Sequence, residues 1–239
     1  RDDKFFQYFA KIAKRNKIKV KSFGYSNNSD IKYINTKKRN GILFLNLLID
    51  RKKYFLRVNN KNKSHIMNIL ACVSVINELN LPLYKIKNFF KNQPLLKGRG
   101  KINKVNILNK KFFLVDESYN ANPLSVKSAI ENFSDIQKNG KKKYFLFGDM
   151  LELGKNSHIY HKKISKFINN SDIDKTFVYG KRAFETYRFL KKHKRGEVVK
   201  NLKLFKSNIA KVLRNGDFLM IKGSNATKLH EVSKGFMRG

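Results

Sequence analysis

From about residue 105 to the end of the chain, short apolar runs alternate with amphipathic stretches, and this alternation restricts the fold more than any other feature. "KKFFLVDE" precedes a segment whose Val126, Ala129, Ile130, Phe133 and Ile136 recur at helical spacing, and "KKYFLFGD" precedes another with Ile159, Ile164, Phe167 and Ile168. The pattern repeats with "KTFVYG" before "KRAFETYRFLKKH", "GEVVK" before "NLKLFKSNIAKVL", and "GDFLMIKG" before "SNATKLHEVSKGF". Strands separated by helices need crossover connections, so the expectation is an α/β fold with a mainly parallel sheet and helices on both faces. Ligands of such sheets gather at the carboxyl ends of the strands. Attention therefore falls on residues 116–123, 148–154, 180–181 and 222–225.

The first hundred residues read differently. A helical start, "KFFQYFAKIAKRNK", leads to "GILFLNLLID" and "KKYFLRV", which read as a hairpin. "SHIMNILACVSVINELN" follows, a helix whose Ile66, Ile69, Leu70, Val73 and Ile76 form one buried face, and then a shorter helix near "YKIKNFF". The few strands would leave a sheet edge unpaired, and the chain opens at Arg1 without a helix cap, so the expectation is the end of a domain whose earlier part is missing. "NQPLLKGRGK" at 92–101 is the expected hinge, dividing a unit at 1–101 from one at 102–239.

Composition limits the classes open to such a chain. Cys72 is the one cysteine, which excludes an intramolecular disulfide framework and makes a reducing cytoplasm the simplest compartment. The run "ILFLNLLI" at 42–49 is far short of a membrane-spanning helix. The net charge of +36 invites a nucleic-acid reading. However, the cations are spread over the whole chain, and a solvated lysine surface explains them better than a dedicated nucleic-acid face, with an anionic small substrate compatible with either.

The strand ends carry the residues of interest. In "VDESYNANP", Pro123 suits a first helical position and Asn122 then falls at the N-cap. Asp116, Glu117, Ser118, Tyr119 and Asn120 occupy the strand-to-helix turn, where carboxylates can accept ribose hydroxyls, a tyrosine ring can lie on a base, and asparagine can read its edge; a solvated polar turn is the plain alternative. In "GDMLELG", Asp149 is either a helix cap or a contact to substrate or metal, with Glu152 a second acid. His161 either touches substrate or is polar helix surface, and His158 with His161 does not make a metal site. "IKGSNATK" puts Lys222 and Ser224 at the ligand edge, and Arg99 in "KGRGK" either clamps a phosphate or faces water. No stretch reads G-x-x-x-x-G-K-[ST], so the sequence lacks the loop that cradles a triphosphate and places Mg2+.

Taken in order and spacing, "KGRG", "VDESYNANP", "GDMLELG" with His161 downstream, and "IKGSN" resemble the second half of the Mur ligases. The match extends over essentially the whole chain. It implies the end of a P-loop-type central ATPase domain followed by a C-terminal Rossmann-like domain. "SYNANP" followed by "GDMLELG" resembles the branch that joins D-alanyl-D-alanine to a UDP-N-acetylmuramoyl-tripeptide with ATP and Mg2+, through an acyl phosphate, in peptidoglycan precursor synthesis. The resemblance implies that Asn68 lies near adenine, that Arg99 serves the ATP phosphates with Lys222 as a second catalytic cation, and that Glu117, Tyr119 and Asn120 form the nucleotide-side turn. Asp149, His161 and Ser224 match positions near the acceptor, and no residue of the chain is assigned to metal. Asn62, Ser64 and His65 depart from the family pattern before Asn68, as does Asn225 after Ser224. The resemblance further implies a cytoplasmic bacterial enzyme, monomeric by default, with the missing triphosphate loop leaving these residues inactive alone. A Mur-type ligase with another acceptor and a basic α/β nucleic-acid-binding module are the competing readings.

Overall fold

A computed structural model describes residues 1–92 and 98–238, which fall into two units, Arg1–Pro94 and Leu95–Gly239. Of the expected hinge at 92–101, residues 93–97 lie outside the described residues.

The first unit begins with helix α1 (Phe6–Arg15). Strands β1 (Phe23–Gly24), β2 (Ile31–Arg39), β3 (Ile42–Ile49) and β4 (Lys52–Val58) follow, then helix α2 (Lys63–Glu78). The four strands form one sheet in chain order, with β1 parallel to β2 and the other pairs antiparallel. The expected hairpin is β3 and β4, closed by Asp50 and Arg51 at φ 46° and 64°. Strand β2 is an addition to the sequence reading, joined to β3 through Asn40 and Gly41 at φ 48° and 76°, the backbone of a tight hairpin turn. Leu45, Leu47 and Ile49 alternate inward along β3 and pack with Ile66, Ile69, Leu70 and Val73 of α2. Ile76 is only half-buried, while Ser74 is buried and bonds the Ala71 carbonyl at 2.8 Å. The short helix expected near "YKIKNFF" resolves into two 3-10 turns, Leu83–Ile86 and Phe89–Lys91, because so short a stretch gains too few bonds to propagate an α-helix.

In the second unit the elements are β5 (Lys101–Ile107), β6 (Lys110–Glu117), α3 (Pro123–Ser134), β7 (Lys143–Gly148), α4 (Ser157–Asn169) and β8 (Lys175–Tyr179). They continue with α5 (Ala183–Arg188), β9 (Arg195–Val199), α6 (Leu202–Val212), β10 (Phe218–Lys222) and α7 (Leu229–Met237). The six-stranded sheet has the order β5-β6-β10-β7-β8-β9, parallel throughout except for β5 against β6. Strand β5 was not anticipated; it turns into β6 through Leu108 and Asn109, both at positive φ. Every residue of β7 and β10 is buried, as central strands covered on both faces require. Helices α3 and α4 close one face through Val126, Ile130, Phe133, Ile164 and Ile168, and α6 and α7 close the other through Phe205, Ile209, Val232 and Phe236. Each such side chain, fully buried, stabilises by about 1.5–3 kcal/mol. Ile159, expected on the buried stripe of α4, is 41% exposed. It precedes Ile164 by five residues, about 140° around the helix, and His161 takes the buried place instead.

Candidate functional site

Strand register decides where the candidate residues meet. Lys222 ends β10 opposite Glu117 of β6 on one side and Phe147 of β7 on the other, so the turns after these strands leave from one carboxyl rim. Lys222 is buried; its Nζ lies 3.3 Å from Glu117 Oε2 and donates to the Asn120 carbonyl at 2.9 Å. Burial pushes the Glu117 carboxyl up and the Lys222 ammonium down from their ordinary values, each shift opposed by the partner's charge.

Arg99 extends this site. Its guanidinium carbon lies 4.6 Å from the centre of the Tyr119 ring, while the Tyr119 side chain remains 51% exposed. The stretch before β5 approaches closely because Gly98 adopts φ +74° and has no Cβ, which would stand 2.8 Å from the Tyr119 nitrogen. The Tyr119 N–H bonds the Gly98 carbonyl at 3.2 Å. Asp116 and Ser118 do not face a ligand: the Ser118 hydroxyl and N–H both donate to Asp116 Oδ1, at 2.6 and 3.2 Å, and shape the turn. Asn122 is a helix cap, its Oδ1 accepting from the Ser125 N–H at 2.8 Å and the Ser125 hydroxyl accepting from the Asn122 N–H at 3.0 Å. The N-cap expected for Asn122 is therefore present.

The remaining candidates tie the rim together. Asp149 Oδ1 accepts from the N–H groups of Arg182 and Ala183 at 3.0 and 2.6 Å, so this carboxylate caps α5. His161 is fully buried: Nδ1 meets the Ser157 carbonyl at 2.8 Å, and Nε2 accepts the Met150 N–H at 3.0 Å. That pairing defines a neutral ring protonated on Nδ1, and burial holds the imidazole below its ordinary pKa. The Ser224 hydroxyl accepts from the Leu151 N–H at 2.9 Å and reaches the Ala121 carbonyl at 3.3 Å, while the Ser224 N–H donates to the Asp149 carbonyl. Three turns are thereby joined by bonds to backbone groups.

Between these turns lies a cleft of about 780 Å³, walled by Tyr119, Asn120, Glu152, Ser224, Lys228 and Glu231. Glu152 and Lys228 both hold positive φ, at 61° and 59°, an uncommon backbone for such residues. Lys228 and Glu231 were missed in the sequence because nothing in a lysine or glutamate announces a left-handed turn or a cleft wall. Asn68 belongs to the first unit, exposed on α2. Its neighbour His65 has a buried Nε2 without a hydrogen-bond partner, and Asn62, at the N-cap of α2, makes no side-chain cap bond. No group of three or more His, Cys, Asp or Glu side chains among the described residues could hold a metal ion. At the rim, the Glu117 carboxylate is paired with Lys222 and the Asp149 carboxylate with the α5 amides.

A mainly parallel sheet with helices on both faces, whose strand ends gather three turns around a cleft at one carboxyl rim, defines a Rossmann-like domain. Residues 105–225, just over half of the chain, match the family described as Mur ligase, glutamate ligase domain, and the chain belongs to the Mur ligase family. The UDP-N-acetylmuramoyl-tripeptide--D-alanyl-D-alanine ligase of Buchnera aphidicola subsp. Baizongia pistaciae is 36% identical over 171 residues, covering 69% of this chain and 34% of the relative. The ligase of the same name from Rickettsia prowazekii is 26% identical over 213 residues, covering 89% of this chain and 46% of the relative. Among solved structures, MurF from Acinetobacter baumannii matches all of this chain and 51% of its own at TM-score 0.81 and 19% identity. MurF from Thermotoga maritima in complex with ADP matches 98% of this chain and 52% of its own at TM-score 0.74 and 19% identity. The chain thus spans between a third and about half the length of these relatives.

Proposed function

We propose that this chain supplies the closing domain, and the end of the preceding ATPase domain, of an ATP-dependent ligase that joins D-alanyl-D-alanine to UDP-N-acetylmuramoyl-tripeptide in a bacterial cytoplasm. The names of the Buchnera and Rickettsia relatives support the substrates, and the ADP bound to the Thermotoga structure supports the nucleotide. In this reading the tripeptide carboxylate takes the γ-phosphoryl group of ATP and releases ADP. The dipeptide amine then attacks the acyl carbon, expels phosphate and gives up a proton. Arg99 and Lys222 offset the charge of the transferring group, with Glu117 holding Lys222 in place. Tyr119 offers its ring to the nucleotide and Asn120 its edge. Asn68 keeps its proposed place near adenine. Asp149, His161 and Ser224 set the turns that wall the cleft, where the dipeptide would lie against the Ser224 side. Mg2+ would neutralise the phosphates when bound with ATP.

One observation carries the reading: the buried Lys222, in register with both β6 and β7, borders the cleft through Asn120. The test is phosphate release from ATP, tripeptide and dipeptide by the whole enzyme. Arg99→Ala and Lys222→Gln should each lower kcat on the order of a hundredfold with circular dichroism unchanged. Unchanged kinetics in both would remove the pair from the site. The 239 residues alone should release no phosphate, since they contain no triphosphate loop.

A further inference from the structure

The side of the first unit's sheet that faces away from α2 has a composition the ligase reading does not use. Register and alternation give it three cross-strand rows: Lys32, Leu48 and Lys53; Asn35, Asn46 and Phe55; Lys37, Phe44 and Arg57. Arg39 and Ile42 add a fourth at the hairpin end. No acid stands in these rows, and among the described residues none of Lys32, Lys37, Arg39, Lys53 or Arg57 has a carboxylate partner. Phe44 and Phe55 meet edge to face at 6.2 Å between ring centres, and Phe55 is 47% exposed. Lys87 lies 4.3 Å from the Phe55 ring centre and Arg57 5.9 Å from that of Phe44. Asn46 Nδ2 donates to Asn35 Oδ1 at 2.8 Å, leaving amide edges beside the rings.

We infer that this sheet face is a platform for single-stranded nucleic acid, separate from the ligase rim. A sheet face with one phenyl ring on inner strand β3 and a more exposed one on edge strand β4, cations against them and amides beside them, offers stacking, phosphate neutralisation and edge contacts together. A lipid surface fits less well. The amides of Asn35 and Asn46 stand in the same row as Phe55, where a bilayer would cover their polar edges without offering partners, whereas base edges can bond them. The arrangement also differs from the diffuse basicity of the chain, because the rings and amides are placed in register.

The test is anisotropy of a fluorescent oligo-dT about twelve nucleotides long with the full chain, at about 50 and about 200 mM salt. Phe55→Ala should weaken binding about tenfold and Phe55→Tyr, which keeps a ring, should hold it. Lys37→Gln should lower the salt slope by about one. Inorganic polyphosphate, which has charge but no bases, should compete poorly and equally with parent and Phe55→Ala. Three results would overturn the inference. They are oligo-dT binding indifferent to Phe55→Ala, polyphosphate competing as well as oligo-dT of equal charge, and phosphatidylserine vesicles binding in a Phe55-dependent way.

Discussion

His161 shows how one side chain can be legible as important and illegible in its role. The sequence offered contact with substrate or polar surface; the structure gives a fully buried, neutral ring that bonds the Met150 N–H. Nothing in "SHIYHKKIS" signals that partner, which lies eleven residues upstream in the turn after β7 and is reached only when α4 packs on the sheet. A pH dependence follows. The folded-state pKa is depressed below the ordinary 6.5, so below that value the unfolded state binds more protons, and the contribution, complete above it, is lost as pH falls toward the folded pKa. The fall in melting temperature between about pH 7.5 and about pH 5.5 should be smaller in His161→Gln than in the parent. Identical slopes would remove His161 as the source. Glu117, raised by burial, contributes with the opposite sign, so the comparison between the two proteins is what counts. Asn122, by contrast, was half readable beforehand: Pro123 named the helix start, and the capping box confirms that role. Asn122→Ala should cost about 1 kcal/mol in urea denaturation, and no loss would show the cap to be idle.

At the level of elements, the alternating half of the chain was read well because each strand there carries its own apolar run and each helix its own stripe. Besides the two-residue β1, the strands missed are β2 and β5, "IKYINTKKR" and "KINKVNI", whose lysines and asparagines dilute any alternation. A usable signal existed for β2, since Asn40-Gly41 before an apolar run is a strong hairpin mark. Leu108-Asn109 gave no comparable notice, for leucine rarely takes positive φ. The link from β8 to α5 supplies a sharper test. Gly180 adopts φ +111°, and a Cβ there would run into the Asp149 carboxylate that caps α5. Gly180→Ala should therefore destabilise by about 1–3 kcal/mol. Chemical denaturation reads the loss, and hydrogen exchange should show it first at the Arg182 and Ala183 amides. Exchange there as slow as in the parent would mean that the turn does not depend on this glycine.

Over the whole molecule, each unit has its own apolar core, one under α2 and one on either face of the six-stranded sheet. Residues 98–239 expressed alone should give a single cooperative thermal transition and native-like near-ultraviolet dichroism; a broad, non-cooperative melt would show that their core is incomplete. What the sequence could not convey at this scale is the commitment of its acids. Asp149 read equally as a helix cap or a ligand contact, and Glu117 as a ligand contact or part of a solvated turn, until register and packing gave them partners. The lattice around Ser224 has a further consequence. Its bonds run to backbone groups at Ala121, Asp149 and Leu151, whose positions depend on the number of residues in each turn and hardly at all on their identity. Single-residue insertions should thus be poorly tolerated in all three turns while side-chain replacements pass. A domain tied in this way can change its choice of guest by exchanging the residues that face the cleft, with the frame around them held at constant length.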